Sequence, residues 1–225
     1  MMNVFGRLKV NSKMLDQWTI PVVSGGVTTE TELYQYTVKG GTLGANGEIR
    51  ILISFTNKSS ANNKTVKVKF GSTQVASFTV TTNTQKEINI SIKTRNNEAA
   101  QICTVTSQGV TTVATLAEDT SADKAISVTA TTTTESAVSV TGITSTGVTA
   151  LVHAPTHGFV LGEYVLMEGA NETEYNGTYQ IFDVSENYYK YLFAGSVTTP
   201  ATGTITAKRY TPITLESVDV ELVKV

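Results

Sequence analysis

Isoleucine occupies every second position from Ile49 to Ile53, and Phe55 continues the row, with Arg50 and Ser54 between. A β-strand turns successive side chains to opposite faces, so this spacing writes one apolar face and one wetter face. The same period returns three times. Val66, Val68 and Phe70 alternate with Lys67 and Lys69; Ala76, Phe78 and Val80 with Ser77 and Thr79; Ile88, Ile90 and Ile92 with Asn89, Ser91 and Lys93. Each run reads as a half-buried strand of an antiparallel sandwich. No segment carries a 3.6-residue apolar stripe over three turns. Composition agrees, because Thr (39 copies), Val and Ile make up about a third of the chain. Branching at Cβ stiffens these side chains and suits them to a pleated surface. The expected fold class is all-β, an antiparallel sandwich with threonine-covered outer faces.

The connections carry turn chemistry at residues 57–63, 71–73 and 82–84. In Gly41-Thr-Leu-Gly-Ala-Asn-Gly47, Gly44 and Gly47 can take positive φ and Asn46 tolerates it, so the chain can reverse ahead of strand 49–55. Ala114–Lys124 is the best helical candidate, yet it reads better as a polar loop leading to a strand through Ile126, Val128 and Ala130. Near the C-terminus the parity changes: Ile213 and Leu215 lie on one phase, Val218, Val220 and Leu222 on the other. One face can bury both sets only if a residue is inserted, which predicts a β-bulge near Glu216–Ser217.

Composition also shifts at about residue 141. Six of the nine tyrosines and both histidines fall between residues 141 and 208. That stretch reads as a compact β-rich unit with strands near 148–152, 164–167, 175–184, 188–193 and 202–207. Tyr175-Asn-Gly-Thr178 offers a tight Asn-Gly turn with Tyr175 and Tyr179 beside it. One further alternating strand, 213–223, follows it. A lone strand is unstable, so it is expected to return to the first sheet. The expected division is an N-terminal attachment arm over 1–23, a discontinuous sandwich over 24–140 plus 209–225, and an inserted β-barrel over 141–208.

Several kinds of chemistry are disfavoured. No run of about 20 apolar residues exists to form a spanning helix, so no membrane insertion is expected. The single Cys103 sits in an alternating Gln-Ile-Cys-Thr-Val stretch and reads as a buried, inert thiol. His153 and His157 stand four apart with Glu163 and Glu168 nearby, but Pro155 and Gly158 oppose a helix and a third ligand is missing. His157 is instead expected to bond backbone in the turn before Gly158. The pairs Glu172/Glu174 and Glu168/Asp183 would serve a glycosidase only if held across a cleft; solvated acidic loops are the plainer reading. No catalytic residue, metal or cofactor is assigned.

Charge is uneven beneath a net of −2. About 12 basic and 6 acidic side chains lie in residues 1–100, against about 5 and 13 thereafter. The lysines around Lys64, Lys67 and Lys69 lack the density and interleaved aromatics of a nucleic-acid stripe. They read either as guards of a sheet edge or as a docking surface for an acidic protein. Leu15, Trp18 and Ile20 form an apolar N-terminal cluster that either buries against a neighbouring subunit or caps the sandwich base. Residues 1–10 show no secretory signal. The sequons at Asn57, Asn63, Asn89, Asn171 and Asn176 follow from composition.

Two resemblances match this division. The Gly41-Thr-Leu-Gly-Ala-Asn-Gly-Glu-Ile-Arg50 stretch, Asn62-Asn-Lys-Thr-Val-Lys-Val-Lys-Phe-Gly71, Thr94-Arg-Asn-Asn97 with Gln101, and the closing Thr214-Leu-Glu-Ser-Val-Asp-Val-Glu-Leu222 resemble a jelly-roll-like domain of tailed-phage virion proteins. Thr156-His-Gly-Phe-Val-Leu-Gly-Glu-Tyr-Val-Leu-Met-Glu-Gly169, followed by Glu174-Tyr-Asn-Gly-Thr-Tyr-Gln-Ile181, is similar to the FCCH-like small β-barrel modules of phage head and tail proteins. These resemblances imply a non-enzymatic bacteriophage structural protein, made in the host cytoplasm and carried on the virion surface. A homotrimer serving as capsid decoration or head fibre, bound to the major capsid protein or a tail component, is the leading expectation. The alternative is a tail-fibre tip whose tyrosines, Tyr188, Tyr189 and Tyr191 among them, stack on a host surface glycan, although most of these rings would fill the barrel core.

Overall fold

The computed structural model describes residues 11–24, 29–57, 62–81, 84–133 and 135–224. The first half forms β1 (Asn11–Trp18), β2 (Val22–Val23), β3 (Thr31–Val38), β4 (Glu48–Asn57), β5 (Lys64–Phe70), β6 (Thr73–Val80), β7 (Thr84–Thr94), β8 (Gln101–Ser107), β9 (Val110–Leu116) and β10 (Lys124–Thr132). There follow β11 (Val138–Ser139), β12 (Gly142–Thr146), β13 (Thr149–His153), β14 (Tyr164–Ala170), β15 (Gly177–Val184), β16 (Tyr188–Leu192), β17 (Gly203–Tyr210) and β18 (Ile213–Lys224), with one 3₁₀ turn at Thr173–Tyr175.

These strands make three antiparallel sheets. One runs β1-β18-β4-β7-β8-β9, with β2 added against β18; the second runs β3-β10-β5-β6. Taking β1, β3, β4, β5, β6, β7, β10 and β18 as the first to eighth strands, the two sheets read 1-8-3-6 and 2-7-4-5. That order is the double Greek key of a jelly roll. The β8–β9 hairpin is an addition after the sixth strand. All of β11 to β17 falls, in sequence, between the seventh strand and the eighth. These seven strands build the third sheet, a half-barrel in the order β11-β17-β14-β15-β16-β13-β12.

The alternating residues fill the sandwich. Ile49, Ile51, Ile53, Phe55, Val66, Val68, Phe70, Ile88, Ile90 and Ile92 are all buried in one cluster with Ile126, Val128, Val218 and Val220. Full burial of each large aliphatic or aromatic side chain stabilises the fold by roughly 1.5–3 kcal/mol. β18 runs between β1 and β4, and the parity change is resolved where it was expected. Leu215 pairs with Phe55 and Ser217 with Ser54, leaving Glu216 as the extra residue of a bulge. Its carboxylate accepts the Thr56 hydroxyl at 2.5 Å. A second cluster lies under the half-barrel, where Tyr175, Tyr189 and Tyr191 are fully buried with Val165, Met167, Ile181 and Phe193.

Four local expectations need correction. Residues 11–18 are not an attachment arm, since they pair with Val218–Lys224 as the first jelly-roll strand; residues 1–10 lie outside the described residues. Ala114–Leu116 ends β9 rather than opening a loop, and only the stretch after it is irregular. In the reversal before β4, Gly44 does take φ +60°, but Gly47 is required for space: a Cβ there would stand 2.1 Å from the Leu43 carbonyl oxygen. Finally, Asn176 is extended, with ψ 140°, so Asn176–Gly177 leads from the 3₁₀ turn into β15 instead of reversing a hairpin. The Asn176 amide is used elsewhere. It donates to the Ala170 carbonyl at 2.7 Å and accepts from the Ala170 N–H at 3.0 Å.

Candidate assembly surface

The β8–β9 hairpin extends one sheet past the edge of the other. Register pairs Cys103 with Ala114, Val105 with Thr112 and Ser107 with Val110, so Val110, Thr112 and Ala114 sit on the core-facing side of β9. Six of the seven β9 residues are nevertheless exposed, Val110 and Val113 each at 67%. β6 ends the opposing sheet. Between its edge and the overhang lies a groove of about 440 Å³, lined by Val75, Phe78, Lys86, Val105, Val110 and Thr112 among others. Lys86 reaches over the Phe78 ring, 5.9 Å from its centroid. β9 carries no charge and no proline, two of the devices that blunt an edge strand. Its neutral, β-branched composition was legible in Val110-Thr-Thr-Val-Ala-Thr-Leu116. The overhang was not, because it depends on which strand faces it across the sandwich.

The other singled-out residues are dispersed. Leu15 and Trp18 are half-buried on β1 and pack against the sandwich core. The Trp18 indole N–H donates to the Ile20 carbonyl at 2.7 Å, and its ring meets Tyr34 edge-on at 6.4 Å. Ile20 itself points outward, 66% exposed. Lys64 does not share a surface with the other lysines. It has the parity of Val66 and is buried, with Nζ donating to the Asn62 carbonyl at 3.2 Å; burial lowers its pKa, against the pull of Glu135. Lys67 and Lys69 do lie on the outer face, and both grip Glu30, at 2.7 and 2.9 Å. Hydrogen bonds from these two lysines and Thr129 pull the Glu30 carboxyl down to about 2.

In the half-barrel, Tyr189 and Tyr191 are core side chains, so they are corrected from surface candidates. The Tyr191 ring stacks on Tyr179 at 4.1 Å, and its hydroxyl donates to the Tyr175 carbonyl at 3.1 Å. Burial pushes both phenols well above their ordinary range. Tyr188 alone of the three reaches the surface. His157 is a turn residue, as expected. Nδ1 accepts the Phe159 N–H at 2.9 Å, and Nε2 bonds the Ser185 carbonyl at 2.8 Å. That pattern fixes the ring with its proton on Nε2 and leaves neither nitrogen for a metal. His153 is exposed on β13.

Three of the four carboxylates considered for hydrolysis are engaged separately, and the fourth, Glu174, takes only a long bond from the Thr173 hydroxyl at 3.5 Å. Glu168 pairs with Lys208 at 2.5 Å, Asp183 with Lys190 at 2.7 Å, and Glu172 takes the Thr202 N–H and hydroxyl at 2.7 and 2.8 Å. Cys103 is buried, and desolvation pushes its thiol up to about 11, so it is a poor nucleophile. Among the described residues no group of three His, Cys, Asp or Glu side chains could hold a metal.

Two polar hubs were invisible in sequence. Glu118, after β9, accepts the backbone N–H and hydroxyl of both Ser72 and Thr73 and pairs with Lys124 at 3.0 Å. Arg209, at the end of β17, binds Glu135 and Glu163 at 2.7 and 3.0 Å, and lies over the Phe159 ring. Each joins residues far apart along the chain, so no local pattern announces it.

No protein-family model matches the sequence, and no curated protein matches it as a relative. Among solved structures, the chain is similar to the "Structure of infectious bursal disease virus Gt strain", at 8% identity and a TM-score of 0.25, over 96% of this chain and 41% of that one. It is also similar to the "Structure of infectious bursal disease virus Gx strain", at 10% identity and a TM-score of 0.23, over 96% and 40%. The chain thus spans about two fifths of the length of the chains it matches. At these values the likeness says nothing further about its role.

Proposed function

We propose that this chain is a non-enzymatic structural protein of a tailed-phage virion, displayed on the particle surface as a capsid decoration or head-fibre protein and assembled as a homotrimer. The observation that carries the reading is the β9 overhang, which no other described strand covers, beside β6, the last described strand of the opposing sheet. An exposed, uncharged, β-branched edge of this kind invites association with another chain. The occupant is a second copy. Among the described residues β1 and β9 end the path of one sheet, so one copy's β9 set beside another's β1 is a head-to-tail contact, which makes a ring where the rotation between copies closes and an open filament where it does not; a trimer is the ring of three. The separate engagement of Glu168, Asp183 and Glu172, the buried thiol and the backbone-bound His157 support a role without catalysis.

Two measurements test this. Light scattering of the purified protein should give three times the chain mass, and a stable monomer would remove the trimer. Quantitative mass spectrometry of intact particles should find the protein on the head in hundreds of copies. A handful of copies confined to the tail would replace this reading with a tail-tip role.

A further inference from the structure

The outer face of the β1-β18-β4-β7-β8-β9 sheet, opposite its core side, holds a groove of about 460 Å³. Its lining follows from register. One cross-strand row runs Met14–Glu221–Arg50–Ser91–Thr104, and the next runs Asp219–Leu52–Asn89–Thr106. Five adjacent strands therefore deliver two parallel lines of side chains, and all nine of these residues line the groove. Neighbouring strands lie about 4.8 Å apart, so successive polar groups along a row are spaced within reach of hydroxyls on one small ring.

The chemistry of the lining is mixed. Asp219 and Glu221 offer acceptors, Arg50 and Asn89 offer planar sets of donors, and Ser91, Thr104 and Thr106 can do either. Met14 adds apolar surface at the β1 end and Leu52 on the central strand β4. Part of the array is held in place from the neighbouring cross-strand row of the same face. Glu48 is 4% exposed; it accepts Arg50 Nε and Ser91 Oγ at 2.8 Å each and pairs with Lys93 at 3.2 Å. One group stands out: Asp219 Oδ1 is buried with no hydrogen-bond partner among the described residues. A buried carboxylate oxygen left in this way is costly, and a donor from a bound molecule would satisfy it.

From these observations we infer that the groove is a binding site for a neutral saccharide. Vicinal hydroxyls both donate and accept, and they match paired acceptors and donors set side by side on adjacent strands. A phosphate-bearing ligand fits poorly, since two carboxylates face one arginine that Glu48 already neutralises. The site shares no residue with the half-barrel tyrosines or the β9 overhang and meets the proposed β9–β1 contact only at Met14, so Asn89 and Asp219 test it separately from the assembly reading.

The test uses the full chain and a defined panel. Saturation-transfer NMR would be run with neutral di- to tetrasaccharides of glucose, galactose, mannose and N-acetylhexosamines, beside sialylated and phosphorylated counterparts. The expected result is transfer to at least one neutral saccharide, with shifts at the Leu52 and Met14 methyl groups. Asn89→Ala and Asp219→Ala should each weaken that binding at least tenfold while leaving the oligomeric state unchanged. Asn89 is exposed, so its variant decides the matter if Asp219→Ala does not fold. Binding by none of the neutral saccharides at 10 mM-scale concentration, binding only by the charged set, shifts confined to the half-barrel, or full retention in Asn89→Ala would each overturn the inference.

Discussion

Replacing Glu118 by Gln should show how far one buried carboxylate holds the jelly roll together. The residue is 6% exposed, and its Oε1 accepts the Ser72 N–H and hydroxyl at 2.9 and 2.8 Å and those of Thr73 at 3.0 and 2.7 Å. These bonds pin the β5–β6 turn to the segment that leads into β10. Burial works to raise the carboxyl, but the bonds from Thr73, Lys124 and Ser72 outweigh it and bring its pKa to about 2. The ordinary value is 4.5. A depression of that size corresponds to on the order of 3 kcal/mol of stability. Because the folded-state value is the lower one, this contribution is complete above the unfolded carboxyl's pKa. It declines as pH falls from about 4.5 toward 2. Glu118→Gln keeps the shape, loses the charge, and presents an NH₂ to a site that needs an acceptor. Urea unfolding at pH 7 should show a loss of about 2–3 kcal/mol. Repeated at pH 3, the gap between wild type and variant should narrow. A loss below about 0.5 kcal/mol at pH 7, within the range of ordinary surface changes, or an equal gap at both pH values, would refute the account.

Further outcomes follow from other features. Val110→Lys with Val113→Lys should give a monomer of unchanged thermal stability, read by light scattering and calorimetry; an unchanged oligomer would exclude β9 from the interface. Tyr191→Ala should cost about 3–5 kcal/mol through the cavity it leaves in the half-barrel core, whereas Tyr191→Phe should cost about 1 kcal/mol for one lost hydrogen bond; denaturant titration distinguishes the two. Gly47→Ala should destabilise more than Gly109→Ala. At Gly47 a Cβ collides with the Leu43 carbonyl, while at Gly109, with φ +80°, it meets open space and the cost is backbone strain of about 1 kcal/mol. Equal thermal midpoints for these two variants would contradict the packing described around the β4 entry.

Much of the fold was written locally. Period-two alternation over Ile49–Phe55, Val66–Phe70 and Ile88–Ile92 fixed which side chains enter the core, because a pleated strand allows no other assignment once one face must leave water. The phase break between Leu215 and Val218 fixed a bulge for the same reason. His157 beside Gly158 announced a turn histidine. What the sequence could not supply was contact between distant strands. Lys64 shares parity with Val66, yet a lysine on a strand face reads as solvated until the tertiary structure shows that face covered. Asn11–Trp18 alternates too weakly to identify itself; β18 makes it a strand by offering a paired edge. The exposure of β9 arises because the opposing sheet stops at β6, and the outer groove arises because register places Asp219, Arg50 and Asn89 side by side. Strand identity is a matter of neighbours along the chain, whereas sheet edges and grooves depend on strands brought together from positions more than two hundred residues apart, and only the folded chain decides those.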